Sequence, residues 1–419
     1  MQDMKRLPLV VNDIFNRRKR KLKHRKNTFA LIALAISAFA IGTTEFISVG
    51  LLPLIAEDFH VGITTAGLTV SIYALGVTIG APVLTAITSN FSRKSLLLWI
   101  MIVFIIGNSL AAFAPNITIL LIARIVSAFA HGIFMSIGST IAADLVAKEK
   151  RASAISIMFS GLTVATVTGV PFGTFIGQHF GWRLAFIIIV IIGIIAFIAN
   201  SVLIPSNLSK GGRATFKDQL RLVTNARLLM LFLITALGYG GTFVVFTYLS
   251  PLLHEITGFQ QNTVAGILLL YGVAIAIGNM IGGKLSNKNP LQALFYMFIV
   301  QAMVLFILSF TLPFKVIGLI SILFMGLLAF MNVPGLQVYV VMLAERYVPS
   351  AVDVASAVNI AAFNAGIAIG SYLGGIVTNS LGLIHTSWVG GIMVVAAIFL
   401  TGFSLVLEKK SLQKGVLTR

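Results

Sequence analysis

Residues 40–50 read AIGTTEFISVG, and the reading of this stretch decides what kind of molecule the chain forms. It sits in an apolar run that begins at Phe29 and is long enough to cross a bilayer, yet it carries a glutamate near its middle. A charged carboxylate at bilayer depth costs about 2.5–3.5 kcal/mol on insertion scales. Glu45 must therefore be compensated or used, and ionisable groups inside a membrane are functional by default.

The composition around it sets the same scene. The chain has 419 residues, of which 58% are hydrophobic and 10% charged, whereas a soluble chain carries roughly 25% charged residues. Apolar runs of about 20 residues, enough to span a bilayer, recur from Phe29 to Leu407. Twelve are centred near Ala38, Leu75, Phe104, Phe129, Val164, Ile192, Gly241, Gly272, Gln301, Gly326, Ala365 and Ala396. An all-α membrane protein with twelve transmembrane helices is expected, because a β-barrel would show short alternating segments instead. Cysteine is absent, which removes disulfides and thiolate chemistry. Ala38-Phe39-Ala40 resembles a signal-peptidase site, but a basic segment of 26 residues precedes the run and the run continues past Ala40. The first helix is expected to stay.

The net charge of +18 is distributed unevenly. Lys5, Arg6, Arg17, Arg18, Lys19, Arg20, Lys21, Lys23, Arg25 and Lys26 crowd the N-terminal tail. Of the other bases, only Arg183 and Lys315 fall on the opposite side of the membrane, and Arg124 falls within a helix. By the positive-inside rule both termini should be cytoplasmic, as an even helix count requires, in a multi-pass protein of the cytoplasmic (inner) membrane. The basic tail is expected to touch anionic lipid. No nucleic-acid partner is expected, since no aromatic residues interleave with RRKRKLKHRK.

The longest polar interruption, PSNLSKGGRATFKDQLRLVTNAR, reads as a cytoplasmic linker over 205–227. It divides the chain into a basic tail (1–28), a six-helix bundle (29–204), the linker, a second six-helix bundle (228–407) and a short tail (408–419). The halves repeat one another: IYALGVTIG at 72–80 answers LYGVAIAIG at 270–278, with Tyr73 and Tyr271 separated by 198 residues. ASAISIMFSG from Ala152 answers ASAVNIAAFN from Ala355. Gly161, Ala165, Gly169, Gly173 and Gly177 recur every four residues in the fifth run, as do Gly366, Gly370 and Gly374 in the eleventh. Small residues at that spacing let a neighbouring backbone approach closely, and repeated halves are the architecture of rocking transporters. These ladders are expected to serve as sliding contacts.

Five stretches together resemble the major facilitator superfamily: GTTEFISVGLLPLIAEDF (42–59), IYALGVTIGAPVLT (72–85), LLIARIVSAFAHGIF (120–134), GLTVATVTGVPFGTFIGQHFGWR (161–183) and ASAVNIAAFNAGIAIGSYLGG (355–375). The resemblance covers about residues 29–407. It is closest to the twelve-helix drug:proton antiporter group and its arabinose-efflux-permease-like branch. It implies two pseudo-symmetric six-helix bundles and a central cavity lined by the first, fourth, seventh and tenth helices. Arg124 matches the family's arginine in the fourth helix, and Gly169, Pro171 and Gly173 fit the kinked antiporter signature of the fifth. Ser127 and Ala128 stand where the family usually has Gln and Gly. The loop TAITSNFSRK (85–94) keeps the basic pair Arg93 and Lys94 but has Ser89 in place of the family's aspartate, with Asn90 and Ser92 replacing Arg and Gly. Arg93 and Lys94 are then free to lean on Asp144 or Asp353.

Among the twelve acidic residues only Glu45 lies deep. Counted from Phe29 it is about 24 Å up the first helix, and Arg124 is roughly 10 Å in from the far surface on the fourth. The sole deep acid and the sole deep base thus share a depth, on helices that the resemblance makes neighbours. Arg124, Ser127, His131 and Met135 fall on one helical face, with His131 near the midplane, where an imidazole can move protons. Each has a structural alternative. Glu45 can be a static partner of Arg124 or hydrogen-bond Thr43, Thr44 or Ser48; Arg124 can hold the fold through backbone carbonyls; His131 can simply pack.

Burial favours a neutral carboxyl and a nearby cation favours a charged one. A group poised between them can load a proton on one side and release it on the other, which couples proton influx to export while the halves rock. Glu45, Arg124 and His131 are the candidate proton-coupling residues. Thr43, Thr44 and Ser127 flank them, and the implied cavity helices add Tyr239, Thr242, Phe246, Asn332 and Tyr339, an aromatic wall suited to amphipathic organic molecules. No pair of deep acids, cysteine nucleophile, histidine cluster or phosphate-binding loop is present, which argues against an enzyme and against an ATP-driven pump. No cofactor or metal is expected, and the partners are a small-molecule substrate, protons and lipid around a monomer. The alternatives are an uncoupled facilitator, a proton-coupled importer, and a non-transporting sensor or scaffold on the same fold. Relatives of the branch handle drugs, sugars and nucleobases or nucleosides; one deep acid with one deep base leans slightly towards neutral or zwitterionic molecules.

Overall fold

The computed structural model describes residues 7–88, 91–146, 151–206, 208, 216–349 and 352–417. All twelve apolar runs become helices long enough to span a membrane. In chain order the helices are α1 (Leu7–Asp58), α2 (Ile63–Ile87), α3 (Arg93–Ala112), α4 (Ile117–Asp144), α5 (Arg151–Phe180), α6 (Trp182–Leu203), α7 (Phe216–Thr224), α8 (Ala226–Phe246), α9 (Leu249–Pro251), α10 (Gln261–Ser286), α11 (Pro290–Thr311), α12 (Lys315–Ala329), α13 (Val333–Tyr347), α14 (Val352–Ser380) and α15 (Thr386–Leu417). The first and last run through much of the expected tails, and α7 occupies part of the expected linker. The tenth span is two helices: α12 stops at Ala329 and α13 starts at Val333 behind Asn332. Pro334 lacks the N–H that a continuous helix would need there.

Local chemistry ends the helices where the sequence supplies caps. Side chains of Ser92, Asn116, Asn225 and Asn289 accept hydrogen bonds from the first turns of α3, α4, α8 and α11, satisfying donors that a helix leaves open. The turn before α2 puts His60 in the left-handed region at φ 52°, and Gly258, 198 residues on, adopts the same conformation before α10 at φ 74°. The repeat therefore reproduces a turn as well as a pattern, with glycine taking that conformation at lower cost in the second half.

Helices α1–α6 and α8–α15 form the two bundles, joined mainly by α2 against α14 and α5 against α10. The glycine ladders do not lie on those joins. Gly161 abuts Ala35, where an added Cβ would sit 1.9 Å from the carbonyl oxygen, while Gly169 meets Thr43 and Gly173 meets Ile47. Gly366, Gly370 and Gly374 likewise press on the backbones of Ala236, Gly240 and Val244. The ladders thus pack α5 on α1 and α14 on α8 within each half, and it is other faces of α5 and α14 that meet the opposite half. Pro171 withholds the N–H that would bond Val167, and the Val167 carbonyl faces Gly272 of α10 across the join.

Side-chain hydrogen bonds between the halves lie at the end of the bundle away from the termini, and Thr78, further along α2, adds one to the Ala361 carbonyl at 3.4 Å. Thr64 donates to Asn379 Oδ1 at 2.7 Å, and Gln178 Nε2 donates to the Gln261 carbonyl at 2.7 Å. Tyr248 wedges between α2 and α14, with Gly67 and Gly375 against its ring and hydroxyl. At the other end, Arg93 pairs with Asp144 and Lys94 donates to the Ser201 carbonyl at 2.7 Å. Both bases therefore tie α3 to its own half. Ser89, Asn90 and the side chain of Asp353 lie outside the described residues.

Candidate functional site

Glu45 and Arg124 come together, but not as an ion pair. The guanidinium donates through Nε to the Thr69 carbonyl at 3.0 Å, through Nη1 to the Thr44 carbonyl at 2.7 Å and through Nη2 to the Glu45 carbonyl at 3.2 Å. It also lies 4.1 Å above the Tyr73 ring. Each carbonyl oxygen has two lone pairs, so α1 and α2 can keep their helical bonds and still accept from Arg124. The arginine is thereby a staple joining α1, α2 and α4. Among the described residues the Glu45 carboxylate has no hydrogen-bond or salt-bridge partner. Glu45 retains 8% exposure and Arg124 none.

Arg124→Ala is expected to lower stability by about 3 kcal/mol, since three charge-assisted bonds of roughly 1.5–3 kcal/mol each are lost and part is offset by relief of desolvation. Arg124→Lys should fall between, because an ammonium cannot fork to three carbonyls. Thermal unfolding in detergent reads this directly. An alanine variant that unfolds at the wild-type temperature would rule the staple out.

The other sequence candidates divide into two groups. Tyr239 and Phe246 stand in an aromatic cluster: Tyr239 lies 5.0 Å from Phe243, 5.3 Å from Phe330 and 4.9 Å from Phe363, and Phe246 stacks on Tyr271 at 5.3 Å. Phe46, the residue after Glu45, reaches across the halves to Phe243, Phe246 and Phe330, at 6.2–6.3 Å between ring centroids. The polar candidates instead bond inside their own half. Thr43 donates to Phe39, Ser127 donates to Ala123 beside Gly107, and Tyr339 meets Ser404 at 3.4 Å. Thr44 donates to Asn108 Oδ1 on α3 at 3.1 Å. Thr242, its counterpart 198 residues on, accepts from Gln301 Nε2 on α11 at 2.7 Å. Gln301 also donates to the Gly238 carbonyl and accepts from Asn332 at the break between α12 and α13.

Sequence reasoning had not singled out Asn108, Gln301, Phe46, Phe330 and Phe363. The first two had a visible signal, as buried amides inside apolar runs that need partners. His131 is buried with its Nδ1 3.1 Å from the Tyr73 hydroxyl. The described residues hold no cluster of three or more His, Cys, Asp or Glu that would suit a metal ion.

Comparison with known proteins agrees with this architecture. Residues 34–352 match the profile of the Major Facilitator Superfamily. The MFS-type transporter YtbD of Bacillus subtilis is 73% identical over 392 residues, covering 94% of this chain and 99% of its own length. The inner membrane transport protein YdhP of Escherichia coli is 37% identical over 380 residues, 90% of this chain and 96% of its own. A solved bacterial homologue of the human lysosomal transporter Spinster, in an inward-facing and occupied conformation, superposes with a TM-score of 0.73 at 16% identity over 90% of this chain and 96% of that one. That likeness concerns the fold. With the helical repeat and the sequence relatives together, the chain belongs to the major facilitator superfamily and is a multi-pass transporter of the cell membrane.

Proposed function

We propose that the protein is a proton-coupled antiporter that exports a small organic molecule by rocking its two halves. The observation that carries this reading is the position of Glu45. Its carboxylate has no partner among the described residues, yet the next residue, Phe46, rests on three rings of the second half. A change of charge at Glu45 is felt one residue from the contact between the halves. Tyr239, in the same ring cluster, lies within electrostatic reach of Glu45.

The aromatic wall would receive the flat or amphipathic part of a solute. With Arg124 committed to main-chain carbonyls, the acid is the group left to exchange a proton. The base-rich end bearing both termini is taken as cytoplasmic, and the basic segment of α1 as its contact with anionic lipid. Contacts at the far end then close the outer side.

The test is reconstitution into liposomes with a trapped pH dye and a panel of drugs, sugars and nucleobases. A proton flux evoked by one solute supports antiport and names the cargo. Solute movement with no proton flux would make the protein a facilitator, and failure of every solute to move would return it to a sensor or scaffold.

A further inference from the structure

Tyr73 of α2 lies along the face of α4 that carries the deep base and the midplane imidazole. Arg124 and His131 are seven residues apart, about 10 Å along the helix axis, too far to touch directly through an imidazole and a committed guanidinium. Tyr73 fills the interval: its ring lies beneath Arg124 at 4.1 Å and its hydroxyl meets His131 Nδ1 at 3.1 Å. The tyrosine is 1% exposed and the histidine 2%, so bulk water does not compete for the bond. Val77 and Ala128 pack against the ring.

The repeat provides an internal comparison. Tyr271 occupies the equivalent place in the second half, 198 residues on. It stacks on Phe246 at an interplanar angle of 15°, and its buried hydroxyl has no hydrogen-bond partner among the described residues. A tyrosine at this place therefore packs without a cation above it or an imidazole at its hydroxyl. Only the half that holds Glu45 has added both.

We propose that Tyr73 is a positioning residue for proton movement, its ring seating Arg124 and its hydroxyl fixing His131, so that the deep acid and the midplane imidazole respond as one unit. This rests on the proton-coupled reading above. A phenol hydroxyl both donates and accepts, so its bond to Nδ1 survives gain or loss of a proton by the imidazole, with only its direction reversed. Phenylalanine would keep the platform for Arg124 and leave Nδ1 without a partner in either state. The charged and titratable groups around Tyr73 are Glu45 from α1 and Arg124 and His131 from α4. At this level α3, α5 and α14 contribute none among the described residues.

The experiment compares Tyr73→Phe, His131→Gln and the double variant in liposomes, reading substrate-evoked proton flux as a function of pH. Tyr73→Phe should move the midpoint of the pH profile by about one pH unit, because the bond it removes is stronger to the charged imidazolium than to the neutral ring, with the KM for substrate unchanged. His131→Gln should also displace the profile, and Tyr73→Phe should add nothing in that background. A Tyr73→Phe profile that overlays wild type overturns the proposal, as does a full additional shift on top of His131→Gln. If Tyr73→Phe does not fold, the proposal is judged on His131→Gln, and an unmoved profile there overturns it. Glu45→Gln, run alongside, separates the failures. Intact proton coupling in that variant sinks the antiport reading itself, whereas lost coupling with an unmoved Tyr73→Phe profile sinks only the role of Tyr73.

Discussion

Glu45→Gln is expected to abolish proton flux evoked by substrate and to leave the protein folded. The two halves of that statement come from the same geometry. Arg124 bonds the carbonyl of residue 45 and not its carboxylate, so replacing the acid by an amide of nearly equal shape breaks no bond among the described residues. Buried groups are costly to alter chiefly when a partner is orphaned, and here none is. Stability should therefore change little, which size-exclusion behaviour and thermal unfolding will show.

Transport should change a great deal. An antiporter must be charged in one leg of its cycle and neutral in another, and glutamine fixes the neutral state. Exchange of labelled for unlabelled substrate needs no net proton transfer and should persist. Uphill movement driven by a pH gradient should disappear. A variant that still concentrates substrate against its gradient at the expense of protons would remove Glu45 from the mechanism and leave it a structural residue.

The spans were legible because a run of about 20 apolar residues has one reading in water or lipid. Glu45 was legible because a lone acid in such a run stands out against that background. The partner of Arg124 was not. Depth brought the guanidinium level with Glu45, but side chain and main chain offer acceptors at the same level, and helix rotation alone decides between them. The partners of Thr44, Thr242 and Asn332 were hidden in the same way. Each lay on a helix expected to face the cavity, and each turned to an amide, Asn108 or Gln301, carried by a neighbouring helix of its own half. Those amides were the available clue, since a buried amide needs partners wherever it sits. The break between α12 and α13 was also signalled, by Pro334 and Gly335 inside an apolar run, though the length of that run suggested a single helix. The glycine ladders show the limit of the repeat itself. Spacing reveals that a backbone comes close, but not whether that backbone belongs to the same half.

A Thr64→Cys/Asn379→Cys variant is expected to lose transport to background when a short bifunctional methanethiosulfonate bridges its thiols, and to recover it on reduction. The wild-type chain has no cysteine, so the introduced pair are the only thiols and each single variant serves as the control for modification alone. The 2.7 Å contact between Thr64 and Asn379 belongs to opposite halves, as do the contacts of Gln178 with Gln261 and of Tyr248 with Gly67. If access alternates by rocking, these contacts part in every cycle and a covalent bridge stops it. Gly67→Val tests the same end in reverse. A Cβ there would lie 2.3 Å from the Tyr248 hydroxyl, so the valine should hold the far ends apart and slow the bridging of the thiol pair. Full transport in the bridged protein would mean that the far end does not open during turnover. The solute would then have to pass by another route, and the contact of Phe46 with the second half would no longer connect the charge of Glu45 to the movement.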